Sequence, residues 1–120
     1  MTGKVDEYGR ALLEVTLYRD AQSPALVVPA WIDTGFTGDM MLPRALVSSL
    51  GLPKTADVTA GLGDGKTARF DNHEGLIDWF GERRTIDVLA NEGKFPLLGV
   101  RLLAGHFLSI DYEKCTVELR

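Results

Sequence analysis

Apolar residues follow the two-residue period of β-strands over most of the chain. Short apolar or alternating segments between turn residues predict strands at 12–18, 25–32, 56–60, 66–70, 75–80, 85–89, 107–111 and 116–119. The segment 25–32 is apolar almost throughout, which favours a strand buried on both faces. Many short strands with close turns predict a mostly β, barrel-like fold with one or two short helices.

Two stretches depart from this period and predict the helices. Pro43 stands where the first residue of a helix tolerates a missing N–H, and a helix continues from Arg44 to Leu50 until Gly51 ends it. Residues 100–104 predict one or two further helical turns. The chain has 120 residues without a repeat or a linker, so we expect one domain over residues 1–120.

Composition and charge exclude several classes of function. The net charge is −4 and the basic residues are scattered, so the sequence has no electrostatic footprint for nucleic acid or an anionic membrane. No apolar run reaches the roughly 20 residues of a membrane span, and residues 1–7 lack the apolar part of a secretion signal. The single cysteine, Cys115, is expected to be a small buried hydrophobic residue. Together these features predict a cytoplasmic protein.

The main chemical signal is Asp33-Thr34-Gly35, which follows the apolar segment 25–32. A carboxylate at the end of such a strand is costly to bury unless it is paired or hydrogen-bonded. One interpretation is a turn carboxylate that caps local N–H groups. We favour a catalytic carboxylate, because a glycine-rich hairpin at 61–65 and the triplet Leu97-Leu98-Gly99 accompany it.

In this order of parts the chain resembles the retropepsin-like, retroviral-type aspartic proteases of clan AA, above all their small bacterial and archaeal single-domain branch. The resemblance covers about residues 12–119 and implies that Asp33, Thr34 and Gly35 form the catalytic triplet. It also implies that Leu97, Leu98 and Gly99 lie beside the catalytic loop, and that residues 115–119 help to form a dimer sheet. The residues implied to contact substrate, at the cleft floor and the flap, are Phe36, Gly61, Leu62, Gly63, Asp64 and Gly65.

The resemblance further implies an aspartic endopeptidase that hydrolyses extended peptides without a metal or another cofactor. This chemistry needs two carboxylates around one water, and two carboxylates in contact share one proton because both cannot ionise. The chain has one such triplet, so we expect a homodimer in which the two copies of Asp33 meet at a twofold axis. The expected partners are therefore a peptide or protein substrate and a second copy of the chain.

Two positions depart from the retroviral pattern. Phe36 stands where those enzymes usually have alanine, and Val100 stands where they have arginine after the second glycine. We expect Phe36 to reshape the floor of the cleft and Val100 to remove an ion pair that steadies the retroviral dimer. These departures leave open a second interpretation, in which the same fold is a catalytically inactive dimer that binds peptides or proteins.

Other segments carry weaker patterns. Residues 60–67 satisfy a relaxed phosphate-binding loop, which works only if a helix begins at Lys66. The residues that follow have no amphipathic helical pattern, so a glycine-rich hairpin is favoured. Asp71-Asn72-His73-Glu74 contains metal-binding groups, but it has one histidine and no second cluster, which favours a solvated loop. Trp31 and Trp79 are expected to lie in the core.

Overall fold

The computed structural model describes residues 1–61 and 64–120 of the chain. Leu62 and Gly63, which the sequence assigns to the tip of the flap, lie outside the described residues. The elements, in chain order, are β1 (Thr2–Val5), β2 (Ala11–Tyr18), β3 (Leu26–Ile32), β4 (Met40–Pro43), α1 (Arg44–Leu50), β5 (Lys54–Gly61), β6 (Thr67–Trp79), β7 (Glu82–Asn91), β8 (Leu97–Leu98), α2 (Val100–Leu103), β9 (Leu108–Asp111) and β10 (Thr116–Leu119).

These strands form one sheet in the order β5-β6-β7-β4-β8-β3-β2-β1-β10-β9. A further antiparallel pairing joins β2 to β6, with Leu17 opposite Ile77 and Tyr18 opposite Leu76. This pairing closes the strands from β6 through β4 and β3 to β2 into a barrel. The mostly β barrel with short helices that the sequence predicts is therefore confirmed.

The core fills the barrel with residues that alternate along its strands. In β2 the inward side chains of Leu13, Val15 and Leu17 are fully buried, and Val47 of α1 joins the same cluster. The helix α1 ends as predicted at Gly51, whose φ of 71° is a left-handed conformation that glycine adopts without steric cost. No helix within the described ranges is long and apolar enough to cross a membrane.

The strand β6 corrects the prediction for residues 71–74. Asp71-Asn72-His73-Glu74 lies inside one 13-residue strand rather than in a solvated loop, because β5 and β7 pair with it on both sides. A strand also begins at Thr67, so the phosphate-loop interpretation has no helix N-terminus after Lys66. In residues 1–61 and 64–120, no group of three His, Cys, Asp or Glu side chains is placed to hold a metal ion.

The strand β3 is buried on one face only. It lies between β2 and β8, and its residues alternate between buried and exposed positions. Trp31 is 40% exposed and therefore lies at the surface, contrary to the prediction, whereas Trp79 lies in the core as predicted. Cys115 is also exposed rather than buried, because it occupies the turn between β9 and β10.

The polar N-terminal residues form β1, a strand that the sequence does not predict. β1 pairs with β2 and β10, and β10 pairs with β1 and β9. Both edges of β10 are therefore occupied within the chain. A dimer sheet that includes residues 115–119 stays a prediction, and the unpaired edge of the sheet next to β10 is that of β9.

Candidate active site

Asp33 lies directly after β3, where the chain leaves the sheet. The Asp33 N–H donates to the Leu98 carbonyl at 2.9 Å, and the Trp31 N–H donates to the Pro96 carbonyl at 2.8 Å. These bonds belong to the parallel pairing of β3 with β8, in which Trp31 is opposite Leu97. The barrel therefore fixes the backbone that carries the carboxylate.

The Asp33 carboxylate is oriented by its own loop. The Gly35 N–H donates to Oδ1 at 2.9 Å, and the Phe36 N–H donates to the Asp33 carbonyl at 3.1 Å. Asp33 is half-buried and Thr34 is exposed. Asp33 lines a cleft of about 340 Å³, together with Trp31, Ile32, Thr34 and Leu97. One carboxylate oxygen is thus held in place at the wall of a cleft large enough for a side chain.

The loop 33–39 is locked against residues 98–101 by backbone hydrogen bonds. The Gly99 N–H donates to the Asp39 carbonyl at 2.8 Å, and two further bonds run from residues 100 and 101 to residues 36 and 38. A Cβ on Gly99 would lie 2.1 Å from the Gly38 carbonyl oxygen, so this position admits only glycine. The structure therefore brings Leu97-Leu98-Gly99 and Asp33-Thr34-Gly35 together.

Phe36 lies beneath this loop and is 1% exposed. A Cβ on Gly38 or Gly99 would approach its ring to 2.7 or 2.6 Å, so the ring fills the space between the two glycines. It also belongs to a small cluster with Met41 and Leu89. Phe36 has almost no surface for a bound peptide, and its role is corrected from cleft floor to support of the loop.

The arm formed by β5 and β6 carries the predicted flap. Gly61 ends β5, and its N–H donates to Thr37 Oγ1 at 3.3 Å, which joins the arm to the loop after Asp33. Asp64 and Gly65 form the turn that precedes β6, where Asp64 Oδ1 accepts from the Lys66 N–H at 2.9 Å. Substrate contacts by the flap, including Leu62 and Gly63, stay predictions.

The sequence reasoning missed a charged cluster behind the loop. Asp39 is buried, and its Oδ2 accepts from the Asp87 N–H at 3.0 Å. Arg101 places Nε 3.8 Å from Asp39 Oδ1 and Nη1 3.3 Å from Asp87 Oδ2. Arg101, the residue after Val100, thus forms ion pairs with both carboxylates within the chain. The one sequence signal for this cluster is that an arginine directly follows Val100.

Comparison with known proteins identifies the class of fold. No family model matches the chain, and a search of curated proteins finds no match. A solved retropepsin-like aspartic protease from Rickettsia conorii is 18% identical with a TM-score of 0.65, covering 99% of this chain and 88% of that one. The EIAV protease complexed with the inhibitor HBY-793 is 16% identical with a TM-score of 0.53, covering 82% and 88%. The chain has a retropepsin-like fold, and both of these matched structures are proteases.

Proposed function

We propose that the chain is an aspartic endopeptidase that hydrolyses extended peptides as a homodimer, with one Asp33 from each copy. The observation that supports this most directly is the setting of Asp33. Asp33 is half-buried, has one carboxylate oxygen fixed by the Gly35 N–H, and lines a cleft in a chain with a retropepsin-like fold. The backbone bonds between residues 33–39 and 98–101 give this carboxylate a rigid support.

The two Asp33 carboxylates would hold one water and one proton between them, because two carboxylates in contact cannot both ionise. The ionised carboxylate takes a proton from the water as its oxygen attacks the peptide carbonyl carbon, while the protonated one donates to the carbonyl oxygen. When the C–N bond then breaks, a proton passes to the leaving nitrogen and the shared proton is restored. No metal or other cofactor is needed for these steps.

The substrate would bind as an extended segment against the arm. In the part of the chain that is described, β5 pairs with β6 alone, so its other edge is open to strand addition by a peptide. We therefore propose Gly61, Leu62, Gly63, Asp64 and Gly65 as substrate contacts. The dimer would join through the loops that carry the exposed Thr34, since both edges of β10 are paired within the chain. We also propose that residues 1–120 form one domain.

Cleavage of a mixed peptide library between acidic and neutral pH tests the proposal. Asp33→Asn removes the group that transfers protons and is expected to lower cleavage by at least about 10²-fold. Asp111→Asn is the matched control, because Asp111 also follows an apolar segment and its Oδ1 accepts two backbone N–H groups at 3.0 and 2.9 Å. Asp111 does not line the Asp33 cleft, so its variant should cleave normally.

Equal cleavage by wild-type and Asp33→Asn protein would reject the proposal. Peptide binding that survives Asp33→Asn, with no product after long incubation of the wild type, would instead identify the second interpretation, a catalytically inactive dimer that binds peptides or proteins. Sedimentation over a series of protein concentrations gives an independent check, because a chain that stays monomeric throughout would have half of the acid–base pair.

A further inference from the structure

A second cavity lies between the loop that follows Asp33 and the flap strand β5. Its volume is about 170 Å³, and its walls are residues 37–39 of the loop, residues 58–60 of β5, and side chains from β6, β7 and α2. It shares no lining residue with the cleft at Asp33. The cavity is therefore a separate recess next to the proposed catalytic site.

Two buried polar side chains on the wall of this cavity each leave one oxygen without a donor. Asp39 is 4% exposed and Asn72 is 5% exposed. Asp39 Oδ2 accepts from the Asp87 N–H, but no described residue donates to Asp39 Oδ1. Nor does any residue of 1–61 or 64–120 donate to Asn72 Oδ1. Buried polar groups of native proteins are nearly always hydrogen-bonded, so two unfilled acceptors on one cavity indicate a missing donor.

The orientation of the Asn72 amide is fixed by its neighbours. Its Nδ2 donates to Thr55 Oγ1 at 2.7 Å and to Asp87 Oδ1 at 3.1 Å. An ionised carboxylate oxygen can only accept, so the nitrogen has to face Asp87 and the amide oxygen stays the acceptor. The missing partner of Asn72 is therefore a donor and not an acceptor.

The charges on the wall favour a cation. Asp39 and Asp87 contribute two carboxylates and Arg101 one guanidinium, which leaves one negative charge in excess. Arg101 Nε is 3.8 Å from Asp39 Oδ1, beyond hydrogen-bonding distance. The Arg101 side chain is 60% exposed, whereas Asp39 Oδ1 is shielded from solvent. Contact with either unfilled oxygen therefore requires side-chain movement, and we expect Arg101, the exposed ion-pair partner of Asp39, to move.

We propose that this cavity is a specificity pocket for a lysine or arginine side chain of the substrate peptide. This inference rests on the proposed function. The cationic head donates to Asp39 Oδ1 and Asn72 Oδ1, and its methylene stem packs on Leu89 and Val58. A cavity of about 150 Å³ holds a six-carbon ring, so about 170 Å³ suits a side chain of similar size. Since the pocket is separate from the Asp33 cleft, the basic residue is not adjacent to the bond that is cut.

Mass spectrometry of library cleavage products, aligned on the bond that is cut, tests the preference. One position should be enriched in lysine or arginine about tenfold over norleucine, the value expected for a hydrogen bond to a charged group. Asp87→Asn removes one charge at a half-exposed side chain and should reduce this enrichment. Asp78→Asn is the matched control, because Asp78 is also half-exposed, pairs with Arg83 at 3.2 Å, and does not line the cavity.

A binding measurement that needs no cleavage separates the two proposals. Backbone amide NMR of the full-length Asp33→Asn protein is recorded with N-acetyl-lysine methylamide and with the norleucine analogue. The lysine probe alone should shift amides of residues 37–39 and 58–60, and Asp87→Asn should weaken the effect. No shift with lysine overturns the pocket, even if peptides are cleaved. If the lysine probe shifts these amides but the wild-type protein cleaves no peptide, the result supports the pocket and counts against the protease proposal.

Discussion

Gly99 is the residue on which the shape of the Asp33 loop depends most directly. Its N–H donates to the Asp39 carbonyl, and its Cα faces the Gly38 carbonyl at a distance that leaves no room for a methyl group. The ring of Phe36 closes the remaining space. The contact therefore joins the two motifs through backbone and one buried ring, and any side chain at position 99 has to displace the loop.

Gly99→Ala is expected to lower the free energy of unfolding by about 3 kcal/mol, because the new Cβ would lie 2.1 Å from a backbone oxygen that cannot move alone. Urea unfolding followed by circular dichroism measures the change. Gly93→Ala is the matched control, since its Cβ would lie 3.4 Å from Asn91 Oδ1, and should cost less than about 1 kcal/mol. Equal effects of the two substitutions would contradict this account of the loop.

Cys115 is strained by its backbone rather than by its packing. Its φ is 55°, in the left-handed region, and the side chain is exposed. A left-handed backbone conformation costs a non-glycine residue about 1–2 kcal/mol. Substitution by glycine relieves this strain but itself lowers stability by about 0.4–1 kcal/mol, because glycine gives the unfolded chain more conformational freedom.

Cys115→Gly should therefore raise the free energy of unfolding by about 0.8 kcal/mol, the difference between the central values of those two terms. Cys115→Ala keeps the Cβ and with it the strain, so it is the control and should give no such gain. Urea unfolding of the two variants side by side measures the difference. A Cys115→Ala protein as stable as Cys115→Gly would show that the turn is not strained.

Among the elements, the turn between β2 and β3 sets the start of the strand that delivers Asp33. Asp20 organises this turn by accepting from the Ser23 hydroxyl at 2.7 Å and from the Gln22 N–H at 3.0 Å. The Ser23 hydroxyl and then Arg19 are the main causes that lower the pKa of Asp20 to about 2. A lowered pKa means that the ionised form stabilises the fold above about pH 4, and this contribution is lost as the pH falls toward about 2.

Ser23→Ala removes the largest of these causes and is expected to raise the pKa of Asp20 toward its ordinary value. The stability that Asp20 contributes would then be lost at a higher pH. A carbon-13 NMR titration of the Asp20 carboxyl measures the change directly. Ser109→Ala, on the exposed face of β9, should leave the midpoint in place. An Asp20 midpoint near the ordinary aspartate value in the wild type would disprove the proposed hydrogen bonding.

Elements whose signals are local were predictable from the sequence, and elements defined by distant pairing were not. Pro43 and Gly51 mark the ends of α1 because their conformational limits act on the chain at that point. β1 is polar, and only its pairing with β2 and β10 makes it a strand. The same holds for residues 71–74, which are polar in sequence and belong to β6 only because β5 and β7 pair with that strand on its two sides.

In the whole molecule, closure of the barrel by β2 and β6 fixes the arm formed by β5 and β6 relative to the strands that carry the Asp33 loop. The barrel is complete within one chain, but the proposed acid–base pair is not, because a chain has one Asp33. Assembly of two folded barrels would therefore add catalysis without being needed for folding.

Mixing equal amounts of wild-type and Asp33→Asn protein should lower peptide cleavage once the subunits have exchanged. Random pairing leaves about a quarter of the dimers with two Asp33 residues, so the rate falls to about half that of the same wild-type protein alone. Adding Asp111→Asn protein instead should about double the rate, since it brings a complete triplet. An unchanged rate on adding Asp33→Asn protein would mean that each copy acts alone. Peptide cleavage measured against mixing ratio provides the test.

The sequence by itself determined the strand period, the bounds of α1 and the presence of Asp33-Thr34-Gly35 after an apolar strand, because each of these depends on neighbouring residues. Only the tertiary structure decided that Phe36 lies beneath the loop and that Asp39 and Asn72 meet at one cavity. Those positions depend on β4, β6 and α2 coming together from distant parts of the chain, and no local pattern of apolar residues encodes such contacts.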